Sequence, residues 1–374
     1  MSNNNQNSEV IKAKIIAIGG CGANILVDFL KHRQLQDISY LLVTTKTGNN
    51  TLRFFNPSQT MLLDDKSSES GFELNPIQAE RAALLAEQDI KKQLVDTKLL
   101  FILAGMGGAT GTGASHIFAK VAKTLKSLTI AIAIQPFDFE DSKRLSRASE
   151  GIKKLQENSD ALIVVSNSKI AELYNGISIS DSFTKANQII FDIIQTIIDL
   201  ISKQAFVEID FSILRKAIRN HKKLFINSGL GFGKQNGQRA KRAAQQALID
   251  SVIDFDFKLT KQVIIIISAK NSYSEEKREI INTIVQFLES KGARNFEYSC
   301  GIYLAPELDE NIKVGLIISG DESHLTLTSQ INHKIQEEPR TFNKHSNNLE
   351  FEDDQDAQAS QGGDDLSNPF GADF

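Results

Sequence analysis

The sequence predicts an α/β protein: a parallel sheet covered on both faces, then a long helix, then a smaller α/β domain. Three observations predict it. Aliphatic runs of strand length alternate with helical patterns over the first half of the chain. One segment, 180–203, carries apolar residues at helical spacing throughout. Beyond it, four further strand-like runs are separated by two helices.

In order, "KAKIIAIGG" (12–20) reads as a strand ending in glycines, with "ANILVDFLKHR" as the helix behind it. "YLLVTT" (40–45), "KLLFILAG" (98–105), "LTIAIAI" (128–134) and "ALIVVS" (161–166) read as further strands. "PIQAERAALLAEQDIKKQL" and "GASHIFAKVAKTL" supply helices between them. In 180–203, Phe183, Ala186, Ile190, Ile193, Ile194, Ile197 and Ile201 recur every three or four residues. Ser180 or Asp181 is placed to cap this helix, which at 1.5 Å per residue extends about 35 Å. So broad an apolar face must be buried, and the helix is expected to be a spine between two domains.

After it, 224–231, 261–269, 295–305 and 311–320 read as strands of a smaller sheet. "GQRAKRAAQQALIDSV" and "SEEKREIINTIVQFLESKG" are its helices. The expected organisation is a tail over 1–10, a first domain over 11–179, the long helix over 180–203, a second domain over 204–320 and a carboxyl tail over 321–374. From Ser346 onward the chain has eight Asp or Glu and no Lys or Arg, too little apolar surface to fold. It closes on "LSNPFGADF", read either as a frayed end or as a docking peptide on an acidic tether.

A chain of 374 residues suits about two domains with tails. The net charge of −4 gives no sign of a nucleic-acid binder. The basic stretches "RKAIRNHKK" (215–223) and "GQRAKRA" (237–243) read as solvated helix faces. Two cysteines, Cys21 and Cys300, without CxxC spacing exclude a disulfide framework or a cysteine zinc site and fit a reducing cytoplasm. The polar start lacks signal-peptide character. The longest aliphatic run, "VIIII" (263–267), is far shorter than the roughly 20 residues that span a bilayer. A soluble intracellular protein is expected, without a metal-ligand cluster or membrane insertion.

Two glycine-rich turns, "GGCGAN" (19–24) and "GMGGATGTGAS" (105–115), each follow a strand and precede a helix. Glycine lets backbone amides approach a ligand closely, and the helix start adds unpaired donors and the positive end of its dipole. Phosphate suits such a place. A Walker loop would need Lys and Ser or Thr after Gly113, where Ala114 stands. A dinucleotide loop needs G-x-G-x-x-G on the first strand, and the second strand offers Lys46 rather than a ribose acid.

"GMGGATGTGAS" resembles the tubulin/FtsZ signature G-x-G-G-G-T-G-[ST]-G, with Ala109 for the central glycine. The resemblance spans roughly residues 11–320. "IIAIGGCGAN" resembles the first nucleotide loop, and Asn75-Pro76 the third. "IQPFDFEDSKR" resembles the P-F-x-F-E-x-x-x-R segment, "LIVVSN" the strand after it, and "FTKAN" the base-binding half of the central helix.

The resemblance implies the tubulin/FtsZ fold and a GTP/GDP site, with Mg²⁺. Gly20, Cys21, Gly22 and Asn24 would line the phosphates from the first loop. Gly107, Gly108, Ala109, Thr110, Gly111 and Thr112 would line them from the signature loop. Glu140 would bind ribose, Arg144 would lie beside sugar and phosphates, Asn167 and Asn187 would meet guanine, and Phe183 would stack. It also implies head-to-tail protofilaments of the chain with itself or with another FtsZ, and division or membrane-anchoring partners for the tail. The expected place is the cytoplasm at the division site.

In that family an acidic loop, N-x-D-x-x-D, completes the neighbour's site. Here "VEIDFSIL" puts Glu208, Asp210 and Ile213 at those positions, so Glu208 and Asp210 are the catalytic candidates. The family's N-T-D in the second loop reads Thr44-Thr45-Lys46. Slow hydrolysis is therefore expected. Beside the polymerising GTPase stand a co-polymerising paralogue with little hydrolysis, a nucleotide-free adaptor and, from another class, a nicotinamide-dependent oxidoreductase.

Overall fold

The computed structural model describes residues 11–321 except 33–37, 46–49, 64–74, 175–177, 203–204, 222, 234–236, 250–251, 254 and 272–273. Lys46, the tail over 1–10 and the carboxyl tail beyond Asp321 therefore lie outside the described residues.

Six parallel strands form the first half of the sheet. β1 (Ala13–Ile18) leads into α1 (Gly19–His32), and β2 (Ile38–Thr44) pairs with the short edge strand β3 (Thr60–Leu62). Next come α2 (Pro76–Leu85), α3 (Glu87–Leu94), β4 (Leu99–Gly105) and α4 (Ala109–Thr124). Then follow β5 (Leu128–Gln135), α5 (Ser142–Asn158), β6 (Ala161–Ser166) and α6 (Asn167–Leu173). The near-continuous apolar runs are explained by burial on both faces. Ile15 and Ala17 turn towards α1 and the long helix, whereas Ile16 and Ile18 turn towards α2 to α5. The stretch expected as one helix after Pro76 breaks at Ala86. No glycine or proline marks that break, and the second piece seats Ile90 and Leu94 in the core.

The long helix, α7 (Ile179–Ser202), has 24 residues. Its cap is neither Ser180 nor Asp181: Ser178 Oγ accepts from the Asp181 amide at 3.0 Å and donates to its carboxylate at 2.8 Å. Ile190, Ile193, Ile194 and Ile197 join one apolar cluster that reaches from Ile15 and Phe101 to Ile264 and Ile317. Both parts of the sheet thus share a core through this helix.

After α7 come the edge strand β7 (Ala205–Val207), α8 (Phe211–Asn220), β8 (Lys223–Gly231) and α9 (Gly237–Leu248). β9 (Thr260–Ala269), α10 (Ser274–Ser290), β10 (Glu297–Leu304) and β11 (Ile312–Gly320) complete the order. β11 lies antiparallel between β8 and β9, and β10 runs parallel to β9. The smaller sheet expected here is not separate. One bridge, Leu162 to Lys223, joins it to β6 and gives the order β3-β2-β1-β4-β5-β6-β8-β11-β9-β10-β7. The described residues all belong to one compact unit.

The basic stretch of α9 departs from the expected solvated face at one position. Arg239 is buried and makes a two-pronged ion pair with buried Glu276 of α10, at 2.6 and 2.9 Å. Its guanidinium also donates to the carbonyls of Gly233 and Glu310.

Candidate functional site

The carboxyl ends of β1 and β4 bring the two glycine turns together. A Cβ on Gly19 would sit 3.1 Å from the Gly111 amide nitrogen, so the first turns of α1 and α4 touch. Gly22 and Gly111 are packing glycines: added Cβ atoms would lie 2.5 Å from the Leu103 carbonyl oxygen and 2.2 Å from that of Gly105. Gly20 and Gly108 differ, because a Cβ on either would meet nothing within 4 Å. Gly20, Cys21, Asn24 and Gly108 are all exposed. The result is an open cradle of backbone with two helix N-termini at its wall, which favours an anion.

Gly107 has φ +96°, and a Cβ there would lie 2.6 Å from Arg144 Cγ. Its amide donates to Thr112 Oγ1 at 2.8 Å, closing the loop from inside. Thr45 and Thr110 share a hydroxyl hydrogen bond of 2.9 Å, tying the end of β2 to α4. Ala109 needs no special backbone: it opens α4 with Gly108, at φ −81°, as the cap. Replacing the signature's glycine there removes no required positive φ and favours the helix.

The turn from β5 into α5 forms another wall. Glu140 Oε1 accepts from the Phe137 amide at 2.7 Å and Oε2 faces Arg144 Nε at 3.0 Å. Asn167, buried, is the first residue of α6, whose cap Ser166 accepts from the Lys169 amide. Phe183 of α7 meets Phe137 edge-on, centroids 5.7 Å apart at 72°. Phe137 in turn stacks on Phe139 at 4.9 Å and 19°, and Phe139 is 74% exposed. Asn187 Nδ2 donates to Asp28 Oδ2 of α1 at 2.9 Å.

Phe137, Phe139 and Asp28 were not singled out by sequence reasoning. The signal for the last was its place one helical turn beyond Asn24.

Glu208 and Asp210 are not brought to this cradle. Both are exposed at the far end of α7, and 24 residues of helix span about 36 Å. Asp210 caps α8, accepting from the Ser212 amide at 2.6 Å. Hydrogen bonding from the Ser212 hydroxyl and amide holds its carboxyl below the ordinary value. Between the two acids, the buried Ile209 amide donates to Tyr303 Oη at 3.3 Å, which anchors the loop. Ile213 is half-buried against the core. Among the described residues no cluster of three metal-ligating side chains occurs, and no helix is long and apolar enough to cross a membrane.

The model of the Tubulin/FtsZ family, GTPase domain, matches residues 12–175. The cell division protein FtsZ of Buchnera aphidicola is 30% identical over 341 residues, covering 90% of this chain and 85% of that protein. That of Coxiella burnetii is 31% identical over 323 residues, covering 85% and 80%. Among solved structures, an empty FtsZ dimer from M. jannaschii superposes with a TM-score of 0.71 at 26% identity, covering 84% of this chain and 89% of that one. CetZ1 from Haloferax volcanii, GDP-bound, gives 0.69 at 15% identity, covering 87% and 100%, a likeness of fold.

Proposed function

The chain belongs to the tubulin/FtsZ family of cell-division and cytoskeletal GTPases, and from that premise we propose that its glycine cradle binds GTP and GDP and that hydrolysis is completed between subunits of a head-to-tail filament. In this reading Gly20, Cys21, Gly22 and Asn24 hold the phosphates on one side, and Gly107 to Thr112 on the other. Backbone amides and two helix dipoles offset the phosphate charge. Glu140 accepts from the ribose hydroxyls and Arg144 lies beside the sugar and phosphates. Asn167 and Asn187 meet the guanine, while Phe183 stacks on it, braced by Phe137. The Thr110 hydroxyl, bonded to that of Thr45, is a hard oxygen donor that with the nucleotide's phosphates would hold Mg²⁺, which would offset phosphate charge.

The observation that carries the inter-subunit step is the length of α7. Phe183 and Asn187 lie about 28 and about 22 Å of helix before the end of α7 at Ser202, and Glu208 and Asp210 lie beyond that end, so they can serve only another copy's nucleotide. That a solved relative is described as an FtsZ dimer supports self-association. In the assembled site the two carboxylates orient the attacking water and accept its proton. Ile213, where the family carries an acid, has no group to contribute. Hydrolysis is therefore slow, and this residue also favours a second reading, a co-polymerising paralogue that modulates a more active FtsZ. The protein works in the cytoplasm at the division site, with the "LSNPFGADF" peptide engaging division or membrane-anchoring proteins.

Phosphate release with GTP and Mg²⁺, measured against protein concentration alongside pelleting, tests this. Turnover per subunit is expected to rise with concentration, together with pelletable filaments. Turnover that is independent of concentration would overturn the inter-subunit step, and failure to bind GTP would overturn the site.

A further inference from the structure

We propose that Asp28 is a positioning residue for base selection, its carboxylate locking the Asn187 amide so that the carbonyl oxygen faces the purine. This rests on the nucleotide reading above and adds which purines the site accepts. Two helices present matched faces. Asn24 and Asp28 lie one turn apart on α1, leading away from the phosphate cradle, and Phe183 and Asn187 lie one turn apart on α7. Phe29, the residue after Asp28, and Phe191, one turn beyond Asn187, meet edge-on with centroids 4.9 Å apart at 67°. This buried contact sets the spacing of the two helices, so the 2.9 Å bond from Asn187 Nδ2 to Asp28 Oδ2 is imposed by packing.

An ionised carboxylate only accepts hydrogen bonds. Rotating the Asn187 amide by half a turn would set its oxygen against Asp28, two acceptors face to face. One N–H of the amino group is thereby held by Asp28, which fixes the direction in which Oδ1 faces the base. Guanine and hypoxanthine carry an N1–H that donates to it. Adenine has a bare, accepting N1, so in the same pose two acceptors would face each other, and turning the amide to present an N–H there would break the bond to Asp28. A site committed in this way discriminates because the wrong base leaves polar groups unpaired.

The experiment is equilibrium binding of GTP, ITP and ATP to the wild-type chain and to Asp28→Leu and Asp28→Asn, with circular dichroism to check folding. Wild type is expected to bind GTP and ITP alike within about tenfold and ATP at least about tenfold more weakly. Asp28→Leu frees the amide to rotate, and the GTP-to-ATP ratio should collapse towards one, mostly through a gain for ATP. Asp28→Asn keeps the size and one acceptor and should retain an intermediate ratio; it also serves if the leucine variant fails to fold. An unchanged ratio in the folded variants overturns the role of Asp28 while leaving the nucleotide site standing. A wild type that binds none of the three overturns both.

Discussion

Gly107 and Thr112 are joined across one turn of the glycine loop, the Gly107 amide donating to the Thr112 hydroxyl at 2.8 Å in a buried position. That bond braces the loop from inside. Replacing Thr112 with Val leaves a buried donor without a partner, a cost of about 1–3 kcal/mol. Thr112→Val is expected to melt earlier and to bind GTP more weakly, while Thr112→Ser stays near wild type in both measurements.

The glycines divide by what lies beyond them. Gly20→Ala and Gly108→Ala add a methyl group to open space, so their melting temperatures should match wild type while GTP affinity falls. Gly22→Ala and Gly111→Ala drive a methyl group into a backbone carbonyl, with a cost of about 1–3 kcal/mol or more. Their primary defect should appear in thermal unfolding. If all four variants lost stability alike, the open cradle would be misassigned.

Under α4 a polar triad joins three helices: Glu80 of α2 bonds His116 of α4 at 3.1 Å and Lys154 of α5 at 3.0 Å. Burial holds the His116 pKa below its ordinary 6.5, outweighing the pull of Glu80. The unfolded chain therefore binds this proton more readily than the folded one. The neutral-histidine contribution is full above pH 6.5 and declines as pH falls below it. Burial would raise the Glu80 carboxyl, yet hydrogen bonds from Lys154 and His116 hold it below 4.5, so a further loss follows as pH falls below that value. Melting temperature measured from pH 7.5 down to 5 should drop less steeply in His116→Gln than in wild type.

Arg239 and Glu276 are both buried and answer each other with two hydrogen bonds. Arg239→Met strands a buried carboxylate and should cost about 3–5 kcal/mol in urea unfolding. Removing both charges with Glu276→Leu as well should recover much of that loss, since the penalty lies in the unpaired charge.

Ile213→Asp places an acid in the first turn of α8. General-base help is worth about 10²–10⁴-fold, and turnover should rise by at least about tenfold if the missing acid is what slows hydrolysis. Because Ile213 is half-buried against the core, thermal unfolding must be followed too. A folded variant with unchanged turnover would remove Ile213 from the explanation.

Most of the regular structure was legible because its causes are local. The run "ALIVVS" is β6 residue for residue, and the isoleucine repeat gives α7 to within one residue at each end. Glycine spacing placed both turns of the cradle. Where the causes are not local, reading failed. The three-residue edge strands β3 and β7 are too short to carry a period, and the break at Ala86 has no local marker. Arg239 looked like its solvated neighbours because nothing nearby in the chain announces Glu276, 37 residues on.

Local residue patterns are enough to reveal the alternation of strands and helices, the bare backbone of the two glycine turns, the long helix and the altered acidic loop. Each is a matter of spacing and residue type within a few turns of chain. Packing alone reveals which glycines face open space and which abut backbone, that Asp28 meets Asn187 across 159 residues, and that Tyr303 holds Ile209 across 94. Those contacts follow from how buried faces fit together, a property of the packed whole that no local pattern encodes.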